Sequence, residues 1–380
     1  MIFAIMFIQR QVQDKLTKRL QDPKAIIIFG PRQVGKSTLL KHLADNFQLP
    51  ILWWNGDDAD IREMLESPSS TKLKTLIGKS KTLVIDEAQR IQNIGICIKI
   101  IVDNFPEVKV LVTGSSAFEL SNSIKEPLTG RKWEYFLFPF SFTEMVNQGN
   151  FLEEKRMIPS RMVYGYYPEI VLNLADAADR LRMIADSYLF KDVFALGNLR
   201  KPEQIIKLLQ ALAYQVGNEV SYHELGMMAG LDNETVEKYI TLLEQAFIIF
   251  RLGSFSRNLR NELKKAKKVY FVDNGIRNSL INNFLPLESR TDVGALWENF
   301  LMAERFKKNA LDGQFNRGYF WRTHAQQEID YVEEVEGKLS AWEFKWSPKA
   351  KVKIPSTFRQ AYPEASIQTI HAENFEEFVL

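Results

Sequence analysis

Apolar residues Ile8, Val12, Leu16 and Leu20 recur every four positions, which predicts an amphipathic helix over 8–20, ended by Asp22-Pro23. The pattern then changes. Ala25 to Phe29 is an unbroken apolar run, as in a strand buried on both faces of a parallel sheet. A glycine-rich turn follows, and 36–47 returns to helical spacing. Apolar runs at 51–54, 82–85 and 108–113 predict three further strands, and their alternation with helices predicts a doubly wound α/β domain.

Around Phe136-Leu137-Phe138-Pro139-Phe140 the aromatic density rises and the alternation stops, so the first domain is expected to occupy 1–155. A helical linker or lid over 156–202 follows, with Tyr188-Leu189-Phe190 and Val193-Phe194 as its bulky face. Residues 203–282 read as a winged helix-turn-helix: helices over 203–216, 222–228 and 233–246 with a turn at Gly230, then strands over 248–252 and 268–272. A helix over 293–307 and strands over 319–322, 329–333 and 339–344 predict a second α/β unit in 283–380.

A chain of 380 residues, 46% hydrophobic, exceeds the roughly 250 residues at which a single core stops growing, in keeping with several domains. The net charge of +2 excludes a global basic field, so nucleic-acid contact would need a local patch. Cys97 is the lone cysteine, which excludes an intrachain disulfide and a cysteine-rich metal site and fits a reducing cytoplasm. The apolar opening Met1 to Ile8 is about half the length of a spanning helix and lacks a basic flank, so a cytoplasmic protein with no membrane partner is expected. The four histidines have no metal-ligand spacing.

The candidate chemistry begins at Gly30-Pro31-Arg32-Gln33-Val34-Gly35-Lys36-Ser37, which meets the G-x-x-x-x-G-K-[ST] pattern between an apolar strand and a helix. Glycines let backbone N–H groups approach phosphates, and the helix turns its positive end toward the same anion. Lys36 adds a mobile charge over the β- and γ-phosphates, and Ser37, with Thr38 beside it, brings a hydroxyl to Mg²⁺. Leu83-Val84-Ile85 delivers Asp86 and Glu87 to the carboxyl edge of the sheet: Asp86 to hold Mg²⁺ through its water shell, Glu87 to orient and deprotonate the attacking water. ATP and Mg²⁺ are thus the expected ligands. Thr113-Gly114-Ser115-Ser116 reaches the same edge, where Ser115 reads equally as a γ-phosphate sensor or as a helix cap.

These segments, with Val84-Ile85-Asp86-Glu87-Ala88-Gln89 and Leu128-Thr129-Gly130-Arg131, resemble the prokaryotic AAA-type ATPases with a C-terminal DUF4143 domain. Later pieces match as well: Gly165-Tyr166-Tyr167-Pro168-Glu169, Lys268 to Gly275, and Leu296-Trp297-Glu298-Asn299. The resemblance implies an AAA-like ATPase, a winged helix behind it, and a C-terminal part similar to the restriction-endonuclease-like nuclease fold. It also implies that Arg131 reaches a γ-phosphate, in its own subunit or in a neighbouring one of a homo-oligomer; a simple ion pair with a carboxylate such as Glu134 is the alternative.

Glu328-Ile329-Asp330, Glu343-x-Lys345 and Glu298 look like the D…E-x-K arrangement of that nuclease fold, with Asp330, Glu343 and Glu298 holding Mg²⁺ and Lys345 catalytic. A solvated Glu343–Lys345 pair on an alternating strand accounts for the same residues. Arg257, Arg260, Lys264, Lys265, Lys267 and Lys268 form the densest basic run, at the wing, suited to phosphate contacts with DNA. Against this, the recognition-helix position carries Glu234, Glu237 and Glu244, which suits a protein partner. ATP is then a switch or motor fuel for one of two outputs: a nucleic-acid-directed ATPase, or a regulatory ATPase that binds protein and cuts nothing.

Overall fold

The computed structural model describes residues 7–45, 50–115, 124, 127–188, 202–255, 267–314, 318–323 and 325–380. They divide into two compact units: the first comprises the described residues up to Phe140 together with Gln245–Phe247, and the second the remaining described residues from Ser141 onward. Ser141 and Glu144 form a reciprocal capping box that opens the helix Phe142–Gln148 and starts the second unit.

The first unit is built on a five-stranded parallel sheet of order β2-β3-β4-β1-β5, with β1 Ala25–Phe29, β2 Ile51–Asn55, β3 Thr82–Asp86, β4 Lys109–Gly114 and β5 Lys132–Phe136. Strands β1 and β3 are buried at every position, which is why β1 is apolar throughout and β3 is apolar from Leu83 to Ile85. Strand β5 was not foreseen. It lies at the edge, half-buried, and its Lys-Trp-Glu-Tyr-Phe sequence lacks that signature. The first helix is shorter than expected, Val12–Lys18. Behind it, Lys109 Nζ donates to the carbonyls of Arg19, Asp22 and Lys24, and Trp133 Nε1 donates to Asp22 Oδ2 at 2.9 Å, fastening that connection to β4 and β5.

The second unit carries a seven-stranded mixed sheet of order β12-β11-β10-β9-β7-β8-β6. Its strands are β6 Glu219–Val220, β7 Ile249–Ser254, β8 Lys267–Phe271, β9 Gly318–Arg322, β10 Glu328–Val335, β11 Lys338–Phe344 and β12 Ser366–Ile370. From residue 202 to β8 the order is helix Pro202–Tyr214, β6, helix Tyr222–Ala229, helix Asn233–Gln245, β7, β8. From Val293 it is helix Val293–Leu311, β9, β10, β11, helix Ser356–Ala361, β12. These two stretches share one sheet, because β7 pairs in parallel with β9 through Gly253↔Tyr319 and Ser254↔Phe320. The division expected at residue 282 is not a break in the sheet.

Buried polar groups knit the second unit together. Asp273 accepts from the N–H groups of Tyr166, Gly275 and Ile276, and Asn299 exchanges hydrogen bonds with both backbone groups of Phe271. Asp292 accepts from Arg277 at 2.6 Å and Arg290 at 2.8 Å, while Arg277 Nε reaches the Ala213 carbonyl and Arg290 that of Asn283. Burial alone would raise the Asp292 pKa, but hydrogen bonds from Arg290 and Arg277 outweigh it and hold it at about 2.

Removing that carboxylate strands two buried guanidinium groups, so Asp292→Ala is expected to destabilise the second unit by about 3–5 kcal/mol in urea unfolding at pH 7. The folded pKa lies below the unfolded one, so the stabilisation is full above about pH 4 and fades as pH falls toward 2. An equal cost at pH 2.5 and pH 7 would contradict this assignment.

Candidate functional site

Because β1, β4 and β3 are parallel neighbours, the segments that leave their carboxyl ends converge on one edge of the sheet. Residues 30–35 leave β1 and lead into the helix Lys36–Asp45, with Gln33 (φ 61°) and Gly35 (φ 91°) in left-handed backbone that bends the loop. Gly30 serves a different need. A Cβ there would lie 1.9 Å from the Leu137 carbonyl oxygen, since the segment after β5 runs directly alongside and Leu137 N–H donates to Phe29. Arg10, buried and not foreseen, clamps the same region by donating to the carbonyls of Val34 at 2.8 Å and Phe138 at 2.6 Å.

Lys36 is buried, with Nζ donating to the carbonyls of Gly30 at 2.7 Å and Pro31 at 2.6 Å, so its ammonium stays within the loop. Pro31 and Val34 are buried, Arg32, Gly35 and Ser37 half-buried, Gln33 and Thr38 exposed. Across β4, Thr113 joins the acidic pair: its hydroxyl donates to Asp86 Oδ1 and accepts from Glu87 N–H at 3.1 Å. Glu87 takes a left-handed conformation (φ 51°, ψ 43°), uncommon for a residue with a Cβ and characteristic of functional sites. Gln89 Nε2 donates to Glu87 Oε2 at 2.6 Å and to Ser115 Oγ at 2.9 Å. Ser37 and Asp86 offer hard oxygen donors of the kind Mg²⁺ takes together with phosphate oxygens and water.

A second cluster gathers in the other unit. Lys345 Nζ lies 2.8 Å from Glu343 Oε1 and 4.0 Å from Asp330 Oδ2, and Asp330 also accepts from Phe344 N–H. Burial, and then the charge of Glu298, push the Asp330 carboxyl up to about 7; burial and Asp330 likewise raise Glu343. Glu298 is held by partners of its own. It accepts from Tyr270 Oη at 2.6 Å and pairs with Lys268 at 3.2 Å, and Lys268 also pairs with Glu328 at 2.5 Å. Burial would lower the Lys268 pKa, yet the charges of Glu298, Asp330 and Glu328 raise it. Among the described residues no group of three Asp, Glu, His or Cys side chains is arranged to hold a metal ion.

Three family models match the chain in succession: AAA domain over residues 22–146, a domain of unknown function (DUF8612) over 155–287, and a domain of unknown function (DUF4143) over 293–376. The chain is an AAA-domain protein with a C-terminal DUF4143 domain. It is 24% identical over 347 residues to an uncharacterized protein of Mycobacterium tuberculosis, covering 90% of this chain and 75% of the relative. An uncharacterized protein of Haemophilus influenzae is 24% identical over 300 residues, covering 72% of each. Among solved structures it is similar to the Walker-type ATPase PABY2304 of Pyrococcus abyssi, at 16% identity and TM-score 0.50, covering 72% of this chain and 96% of that one. That likeness shows a shared P-loop NTPase fold.

Within the AAA domain the structure brings the 30–37 loop, Asp86, Glu87 and Ser115 to one edge of the sheet, but not Arg131. Arg131 precedes β5, level with the start of β1, and pairs with Asp103 at 2.6 Å, while Glu134 pairs with Lys132. The length of β1, roughly 13 Å, separates that edge from the loop, so Arg131 is not placed to act on the nucleotide of its own subunit. In the second unit, Lys268 was expected at a phosphate-binding wing and is instead buried among carboxylates. Of the rest of that basic run, Lys267 is half-buried at the start of β8, and Arg257, Arg260, Lys264 and Lys265 lie outside the described residues. A signal for Lys268 was present: Lys268 and Tyr270 alternate on one face of β8, and both reach Glu298. No helix among the described residues is long and apolar enough to cross a membrane.

Gly30→Ala is expected to force the loop away from the Leu137 carbonyl, lowering both the melting temperature and the affinity for a fluorescent ATP analogue by about tenfold or more, because backbone on both sides leaves no side chain to yield. An unchanged affinity would mean that the close approach is not needed for the loop's shape.

Proposed function

We propose that the chain hydrolyses ATP with Mg²⁺. The observation that carries this is the linkage of Asp86 and Glu87 through Thr113 on the strand next to the phosphate-binding loop. Backbone N–H groups of 32–36 bind the phosphates, Lys36 exchanges loop carbonyls for phosphate oxygens, and Glu87 accepts the proton of the attacking water. Mg²⁺, held by Ser37 and Asp86, supplies charge neutralisation on the phosphates. Ser115 contacts the γ-phosphate, and Thr38 flanks the loop. Any γ-phosphate contact by Arg131 is made to a neighbouring subunit of a homo-oligomer.

Two outputs remain, each with its own support. The order helix, strand, helix, helix, strand, strand over 202–271 supports a winged helix-turn-helix, and the helix–three-strand–helix–strand order after Val293, with Asp330, Glu343 and Lys345 together, supports a nuclease-like fold. Glu234 and Glu237, exposed on the helix that would meet DNA, and the capture of Glu298 by Lys268 favour the alternative, a regulatory ATPase that binds a protein partner and does not cut nucleic acid.

ATP turnover by the purified protein is expected to vanish with nucleotide binding in Lys36→Ala. In Glu87→Gln binding persists while kcat drops by about 100-fold or more. Unchanged turnover in Glu87→Gln would remove the general-base assignment. In the same assay DNA is expected neither to stimulate turnover nor to be cleaved. Salt-sensitive stimulation by DNA, with cleavage lost in Lys345→Ala, would establish the nucleic-acid output instead.

A further inference from the structure

We infer that Gln89 is a positioning residue for hydrolysis, tying the carboxylate of Glu87 to the Ser115 hydroxyl so that turnover answers to what Ser115 touches. The inference rests on the reading of Glu87 as the water-activating group. A carboxylate only accepts hydrogen bonds, so the 2.6 Å contact with Glu87 Oε2 fixes which end of the Gln89 carboxamide faces it: the NH₂ end, whose second bond goes to Ser115 Oγ at 2.9 Å. One nitrogen thus bridges the ends of two different strands, β3 and β4. The amide oxygen of Gln89 is buried without a hydrogen-bond partner, so the two donated bonds alone orient the amide. A shift of either partner carries through to the other.

The surroundings make this bridge consequential. Ser115 is buried directly after β4, the strand between the phosphate-binding loop and the acidic pair, and its hydroxyl is a donor that a γ-phosphate oxygen accepts. Glu87 is held on the other side by its backbone alone: its N–H bonds to Thr113, its left-handed conformation is fixed, and its carbonyl lies so close to Gly56 that a Cβ there would come within 2.3 Å. The backbone of Glu87 is therefore pinned while its carboxylate is steered by Gln89. When Ser115 engages a γ-phosphate, the shared nitrogen transmits the change to the group that must accept the water's proton. After phosphate leaves, the same bridge restores the resting arrangement.

The test separates kcat from nucleotide binding in Gln89→Leu, in the isosteric Gln89→Glu, in Ser115→Ala and in the Gln89→Leu/Ser115→Ala double variant. Each single variant is expected to lower kcat by about 10- to 100-fold, the range of a lost acid–base positioning effect, with affinity for the ATP analogue within threefold in the two Gln89 variants. The double variant should lose no more than the worse single one, because the two residues act through one bridge. A kcat within threefold of wild type in Gln89→Leu, losses that multiply in the double variant, or affinity losses in the Gln89 variants that match those in kcat would overturn the proposal. So would an isosteric Gln89→Glu that turns over like wild type, since only packing survives in it. If wild type itself shows no Lys36-dependent turnover, the hydrolysis reading fails first and the role of Gln89 falls with it.

Discussion

Parallel pairing of β4 with both β1 and β3 sets the geometry on which the AAA domain's chemistry depends. The register Phe29↔Gly114 on one side and Ile85↔Val112 on the other brings the loop after Phe29, the hydroxyls at 113 and 115, and the carboxylates at 86 and 87 to one edge. Each strand can deliver to that edge only the residues at and just beyond its carboxyl end. Chemistry here is therefore a matter of which strand lies between which, and β4 is the one that touches both halves. Thr113 makes the consequence visible, since one hydroxyl satisfies both Asp86 and the backbone of Glu87.

The second unit solves a different problem. It has many polar groups inside, and they are retained where they join segments far apart in the chain. Gly165 is needed because its Cβ would fall 2.0 Å from Asp273 Oδ1, and Gly275 because its own would fall 2.2 Å from the Tyr164 carbonyl. Asn274 donates to the carbonyls of Met162 and Leu296 and accepts from Asn299. The motif pieces around 165, 273 and 299, scattered in sequence, are thus one knot of buried hydrogen bonds. They are structural rather than catalytic, and leaving any member unpaired would cost the desolvation of its partners.

The carboxylates near the C-terminus show how a charge can be claimed by two uses. Asp330, Glu343 and Lys345 lie close together, and the rise of Asp330 to about 7 is the response of a carboxyl first to burial and then to the like charge of Glu298. Lys268 changes the balance by neutralising Glu298 and Glu328 from within the sheet. A resident ammonium thus places positive charge among these carboxylates.

Much of the AAA domain was legible in the sequence, because buried parallel strands are written as unbroken apolar runs and because a phosphate-binding loop requires particular residues at fixed spacing. Strand β5 escaped because an edge strand needs no such run, and Arg10 because its acceptors are backbone carbonyls 24 and 128 residues away. Many helices and strands of the second unit were also readable, but not the short strand β6, the edge strand β12 or the parallel pairing of β7 with β9, which no local pattern encodes. Arg131 and Lys268 mark the same limit from the side of function. Sequence determined which charges exist and which strand or loop carries them; tertiary structure alone decided which end of the sheet Arg131 occupies and which carboxylates Lys268 meets, because charge pairing depends on distance in space and not on spacing along the chain.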